Sequence, residues 1–234
     1  MMNLYNILED EYNKVTNRYS NSASLTYNKN EVKKLFSFLF TINFLKNRIE
    51  LKKIFFSNKY FEITYSCLME SFLLVLDAHY RGSLLVARCA LENSIKHSMS
   101  VNNIPNISQR SYTENYNTFK CHKTPNEQLN LLITKNNERK KTLYSKLSGI
   151  SHSLTPDSLN LNIEYLLYKQ KENPPSNETL DKLTKCYEYI FLDFLFISYY
   201  SIEQWDSDLL LNILKIPFGK KRSMSLLKSI KNKY

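Results

Sequence analysis

Glycine is almost missing from this chain: three occur in 234 residues, alongside six prolines. So few punctuating residues cannot serve the many short turns of an all-β fold, and long helices are favoured. The same scarcity removes any glycine-rich phosphate loop and any nucleophile elbow, and no HExxH is present, which sets aside the common nucleotide hydrolases, α/β hydrolases and zincins. The four cysteines, Cys67, Cys89, Cys121 and Cys186, show no CxxC spacing. Cys121 stands beside His122 but lacks the second ligand pair that structural zinc needs, so neither metal nor cofactor is expected. No apolar run is long enough for a bilayer span; the richest, Tyr187 to Ile202, is short and interrupted by Glu188 and Asp193. The opening MMNLYNILEDEYNKV carries acidic residues and no apolar core of leader length. A reducing cytoplasm is the expected setting, with Cys67, Cys89 and Cys186 acting as small buried hydrophobes.

What remains is ordinary globular composition, 43% hydrophobic and 23% charged. The abundance of Tyr, Asn, Lys and Ile reads as the codon bias of an AT-rich genome, bacterial or phage. Helical periodicity predicts an all-α single-domain bundle. Helices are expected over Leu4 to Tyr19, Glu31 to Phe56, Tyr60 to Ala78 and Arg81 to Met99, the last two joined by a bend at Gly82. The polar stretch Asn102 to Lys123 reads as a flexible excursion or lid. Thr124-Pro125-Asn126-Glu127 then supplies a helix start, with threonine as cap, proline in the first position and glutamate reaching back. That helix should run through Leu129, Leu132, Ile133, Leu143 and Leu147 towards His152. Thr155-Pro156 opens a short element ending before Pro174-Pro175, and a last long helix spans Asn177 to Leu214. No internal repeat or linker divides the chain.

Charge is unevenly spread. Of 32 basic residues seven follow position 214, namely Lys215, Lys220, Lys221, Arg222, Lys228, Lys231 and Lys233, with none of the 22 acidic ones. The expected organisation is therefore a helical domain, 1–216, and a basic C-terminal tail, 217–234. Such a tail attracts polyanions or simply solvates the chain end. Met224, Leu226, Leu227 and Ile230 leave open a further outcome, in which the segment packs back as a short amphipathic helix.

The most informative segment is residues 80–98, YRGSLLVARCALENSIKHS. On a helix Arg81, Arg88 and Glu92 share the stripe that carries Leu84, Leu85, Leu91 and Ile95. Charge on an apolar face costs several kcal/mol unless paired and hydrogen-bonded. Arg88 and Glu92, four apart, are adjacent and could form such a pair. A second segment, YSKLSGISH, brings Tyr144, Ser148, Ser151 and His152 to one side of a helix. Together the two offer a cation, a carboxylate, hydroxyls and an imidazole. That is the inventory of metal-independent RNA cleavage: a base activates the ribose 2′-hydroxyl, a cation stabilises the phosphorane and an acid protonates the leaving oxygen. The competing reading is structural, with Arg88 and Glu92 fixing helix register and His152 capping its helix. His79 and His97, at the ends of central helices, read as structural, His122 is given no role, and the tyrosines of the last helix read as core and rim.

The R-x-x-x-E helix (Arg88, Glu92) followed by Y-x-x-x-S-x-x-x-H (Tyr144, Ser148, His152) resembles HEPN-like helical proteins over residues 60–155. The resemblance implies an all-helical bundle, often a homodimer with an RNA-cleaving site near the dimer interface, and a place in phage defence, abortive infection or toxin–antitoxin pairs. That family's usual signature is an arginine followed by a histidine after four to six residues; here eight residues separate Arg88 from His97, and the logic transfers to His152. The expectation is then a metal-independent endoribonuclease: Arg88 on the scissile phosphate, His152 as general acid or base, Glu92 orienting Arg88, and Arg81, Tyr144, Ser148 and Ser151 as substrate contacts. RNA, a second copy of the chain and an antitoxin or defence-system protein are the expected partners. Two other classes stay open: a non-enzymatic nucleic-acid-binding protein using basic surfaces for phosphates, and a protein-interaction module such as an antitoxin or adaptor.

Overall fold

Tyr187, Tyr189, Ile190, Phe191, Leu192, Phe194, Leu195 and Phe196 are all buried, and they point in every direction around one helix. A helix that is apolar all round belongs in the middle of a bundle, and the remaining elements are arranged about it. The computed structural model describes residues 4–19, 29–48, 51, 58–119, 126–151 and 177–231, and among these there are helices and turns but no strand. The helices are α1 (Leu4–Tyr19), α2 (Lys29–Lys46), α3 (Lys59–Leu76), α4 (Tyr80–Val101), α5 (Tyr112–Phe119), α6 (Glu127–Ser151), the central α7 (Asn177–Ile197), α8 (Tyr199–Ile202) and α9 (Ser207–Lys231). The all-α expectation is met. α7 packs on α4, α2 and α6, and α4 also packs on α3, α5 and α6.

α3 and α4 form an antiparallel hairpin whose bend differs from expectation. Gly82 lies inside α4, where a Cβ would make an ordinary contact with Leu74 at 3.5 Å. The chain turns instead at Asp77 to His79, with Ala78 in the left-handed region at φ 60°. The His79 amide donates to the Leu74 carbonyl and that of Ala78 to Val75, the paired bonds that close a Schellman motif. α4 ends the same way: Asn103 has φ 56°, its amide bonds Ser100, and that of Ile104 bonds Met99. Midway along the hairpin Ser71 and Ser83 each donate to the other's backbone carbonyl, at 3.1 and 2.8 Å. Such contacts require the two backbones to lie close.

Three further expectations are corrected. Within the stretch read as an excursion, residues 102–119 are structured: a 3₁₀ turn (Ile107–Gln109) leads into α5, whose Tyr112, Tyr116 and Phe119 form a second small core with Ile95 and Met99. The polar sequence misled because only one face of this short helix is apolar. Asn126, not threonine, caps α6, its Oδ1 accepting from the Leu129 amide at 3.0 Å; Thr124 and Pro125 lie outside the described residues. The last long helix is broken: α7 stops at Ile197, and Asp206 caps a new helix by accepting from Leu209 at 2.9 Å. Residues 155–176, where a short element was expected, lie outside the described residues.

The segment read as a basic tail is part of this packing as far as Lys231. The 216/217 boundary drawn from charge falls inside α9, which kinks where Pro217 lacks an amide donor and Gly219 takes φ 69°, ψ 177°. Beyond the kink Leu226 and Ile230 enter the core. The guanidinium of Arg222 forks onto both carboxylate oxygens of Glu188, and Lys231 donates to the carbonyls of Glu203 and Trp205. Of the outcomes weighed for the tail, packing back on the body is the one observed. No helix of the described residues is long and apolar enough to cross a membrane.

Candidate functional site

α4 and α6 pack together, and this brings two of the anticipated segments into contact. Arg88 Nε donates to Ser148 Oγ at 3.0 Å and its Nη2 to Tyr144 Oη at 2.9 Å. The guanidinium carbon lies 4.8 Å from the Tyr144 ring centroid. Tyr144 and Ser148, one helical turn apart on α6, thus grip the planar fork from one side. The remaining N–H donors of Arg88, a half-buried residue, are not used within the described protein.

The expected Arg88–Glu92 ion pair is not formed. Glu92 takes Lys96 at 2.7 Å, the next residue along the helix at the same spacing. Two hydroxyls orient Arg88 in place of the carboxylate. The consequence is electrostatic: Glu92 is neutralised by Lys96, while Arg88 has no carboxylate at ion-pair distance among the described residues. A fixed, uncompensated guanidinium with spare donors suits a bidentate oxyanion such as phosphate. Arg81, two turns earlier on α4, is half-buried on the same stripe. Ser151 closes the helical backbone of α6. His152 lies outside the described residues.

Tyr144 is itself held. Tyr112 of α5 stacks on it with ring centroids 3.6 Å apart and planes 7° from parallel. Sequence reasoning missed Tyr112, since it sits in the segment taken for a lid. Burial, and then the neighbouring Asp193 carboxylate, push the Tyr112 hydroxyl well above the usual phenol range. Asp193 belongs to a buried polar group beneath the site. Lys140 Nζ meets its Oδ2 at 2.6 Å, with the two side chains 0% and 2% exposed. Asn136 Nδ2 donates to Asp193 Oδ1 at 3.0 Å and to the Tyr189 carbonyl at 3.1 Å. Burial raises the Asp193 carboxyl above its ordinary value; the Lys140 cation opposes this without cancelling it. The sequence did carry a trace of this cluster, because Asp193 interrupts the most apolar run of the chain.

His97 is buried between the rings of Phe61 and Phe194, in keeping with a structural role, and His79 Nε2 lies 3.2 Å from Asp77 in the hairpin turn. Tyr187 donates to the Leu68 carbonyl and Tyr189 and Tyr199 are buried, while Tyr200 is exposed. An open groove of about 340 Å³ runs between α6 and α7. Its cations include Lys182 and Lys185, paired along their own helix with Glu178 and Asp181. Arg139 and Lys146 also line it and make no ion pair among the described residues. No group of three or more His, Cys, Asp or Glu that could hold a metal occurs among the described residues. No family model, curated protein or solved structure matches the chain.

Proposed function

We propose that this chain is a HEPN-like, metal-independent endoribonuclease of bacterial phage defence or toxin–antitoxin type. One observation carries the reading: Arg88 is held by Tyr144 and Ser148, half-buried, with no carboxylate at ion-pair distance among the described residues. In this scheme Arg88 binds the scissile phosphate and stabilises the charge that grows on the phosphorane. His152, one turn beyond Ser148 in the sequence, takes the proton of the ribose 2′-hydroxyl or supplies one to the leaving oxygen. Tyr144 and Ser148 hold the guanidinium in plane, and Tyr112 holds Tyr144. Arg81 and Ser151 contact flanking RNA. Glu92 keeps Lys96 as its partner, so its role is to leave Arg88 uncompensated. A twofold homodimer and an antitoxin or defence-system partner belong to the same proposal, as does action in the cytoplasm.

Cleavage of RNA by the purified chain in the presence of a metal chelator tests the reading. Arg88→Ala and His152→Ala should each lower the rate by about 10²–10⁴-fold while the proteins remain folded. Equal rates in wild type and both variants would remove it. The groove between α6 and α7 favours a second reading, a non-enzymatic protein that binds nucleic acid. That reading predicts no cleavage, but RNA affinity that falls steeply with salt and weakens when Arg139 and Lys146 are replaced by Ala.

A further inference from the structure

Cys67 and Cys89 were both expected to be buried hydrophobes, and only Cys186 fits that description fully. Cys186 is buried on α7, its thiol against the Ala87 carbonyl at 3.3 Å. Cys67 of α3 is half-buried and Cys89 of α4 is exposed, and both are free thiols. The antiparallel register of the hairpin sets these two opposite each other. Ser71 faces Ser83 and Leu74 faces Gly82; seven residues further from the bend on each helix, about two turns, the register of Leu74 and Gly82 sets Cys67 against Cys89, and the two thiols interact electrostatically. The reciprocal serine contacts keep the helices close at this level, as a link between two cysteine side chains requires. Asn93 Nδ2 also donates to the Cys89 sulfur, at 3.5 Å.

We propose that Cys67 and Cys89 form an oxidisable dithiol, a site at which hydroperoxides convert Cys89 to a sulfenic acid that Cys67 resolves to a disulfide. The Cys89 thiolate attacks one peroxide oxygen; the O–O bond breaks and the departing oxygen leaves as hydroxide from hydrogen peroxide, or as alkoxide from an alkyl hydroperoxide, taking a proton to become water or an alcohol. The Cys67 sulfur then attacks the sulfenic sulfur and the S–O bond breaks. The thiol proton leaves with the hydroxyl as water. Two electrons pass from the dithiol to the peroxide, and two hydrogens are lost from the protein. Reactive cysteines of this type are exposed, rich in thiolate and placed beside a resolving thiol.

The surroundings assign the two roles. The neighbouring Cys67 lowers the Cys89 thiol below its ordinary value, with Asn93 and the Lys96 cation helping and desolvation and the Glu92 carboxylate opposing. Cys67 moves the other way: the neighbouring Cys89, burial and the nearby Glu70 and Cys186 all push it up. Cys89, exposed to a peroxide, is therefore the attacking thiolate, and Cys67, half-buried behind it, the proton-bearing resolver. Because Cys89 directly follows Arg88, the link would form at the back of the guanidinium site. The dithiol does not depend on that site cleaving RNA.

The test uses the full chain, treated with hydrogen peroxide at neutral pH, digested without reduction and mapped by mass spectrometry. The expected product is a Cys67–Cys89 linked peptide pair, lighter by two hydrogens and restored by a dithiol reductant. In Cys67→Ser the sulfenic acid of Cys89 should persist and be trapped by dimedone; in Cys89→Ser no peroxide-dependent linkage should form. Iodoacetamide should label Cys89 at least tenfold faster than Cys67 at pH 7. A linkage through Cys121 or Cys186 in its place, a Cys89 sulfenic acid that persists with Cys67 intact, or equal labelling of Cys67 and Cys89 would overturn the proposal.

Discussion

At the scale of single residues, the most consequential side chains are charges placed where water is scarce. Arg88 was legible because a guanidinium on an apolar helical stripe is costly and must be accounted for. Its partner was not legible: spacing alone cannot tell whether Glu92 turns towards Arg88 or Lys96, and both are four residues away. Lys140 gave no sequence signal, being one of a run of charges, yet it is fully buried against Asp193. Lys140→Met should destabilise the protein by about 3–5 kcal/mol, because it leaves a buried carboxyl without its cation. The loss should also depend on pH. Asp193 already holds its proton more tightly in the fold than in the unfolded chain, and removing Lys140 strengthens this. Where the folded state binds more protons, stability is greatest below the ordinary carboxylate value and falls as pH rises towards the raised one. Urea unfolding should therefore show a larger penalty at pH 8 than at pH 5, and an equal penalty would mean that Asp193 is not the titrating group.

At the scale of elements, the informative points are the helix ends. Glycine is so scarce that the α3–α4 turn uses an alanine in a conformation that disfavours L-residues. Ala78→Gly should relieve this and raise stability by about 0.5–1 kcal/mol, measured by denaturant midpoint. Gly219 is the opposite case. Its φ and ψ belong to a region almost reserved for glycine, and nothing lies within 4 Å of the Cβ it lacks. Gly219→Ala should thus cost about 1–3 kcal/mol through the backbone alone. α5 shows why element reading failed locally. A helix of eight residues has too few turns for its apolar period to stand out, and Tyr112 and Tyr116 gain their burial from α4 and α6.

At the scale of the whole molecule, α9 decides how far the packed body extends. Deleting residues 219–234 removes Leu226 and Ile230 from the core together with the Arg222–Glu188 fork. Each buried side chain contributes about 1.5–3 kcal/mol, and for a chain of this size 1 kcal/mol shifts Tm by about 2–4 °C. Truncation should lower Tm by roughly 10 °C, and Ile230→Ala alone should account for a substantial part. An unchanged Tm would mean that the segment does not hold this place in solution.

Legible from the chain alone were the all-helical class, the start and end of α1, the start of α7, the apolar face of α6 and the stripe carrying Arg88. These follow from periodicity and from the near absence of glycine, properties that each segment carries without its neighbours. That Tyr144 and Ser148 hold Arg88, that Glu92 turns to Lys96, that Lys140 meets Asp193 and that the basic C-terminal segment packs as a helix is settled by packing across the bundle. Each of those depends on which faces of distant helices are pressed together. Burial there is a cooperative property of the bundle, and no local pattern of residues encodes the choice between partners that are equally near along the chain.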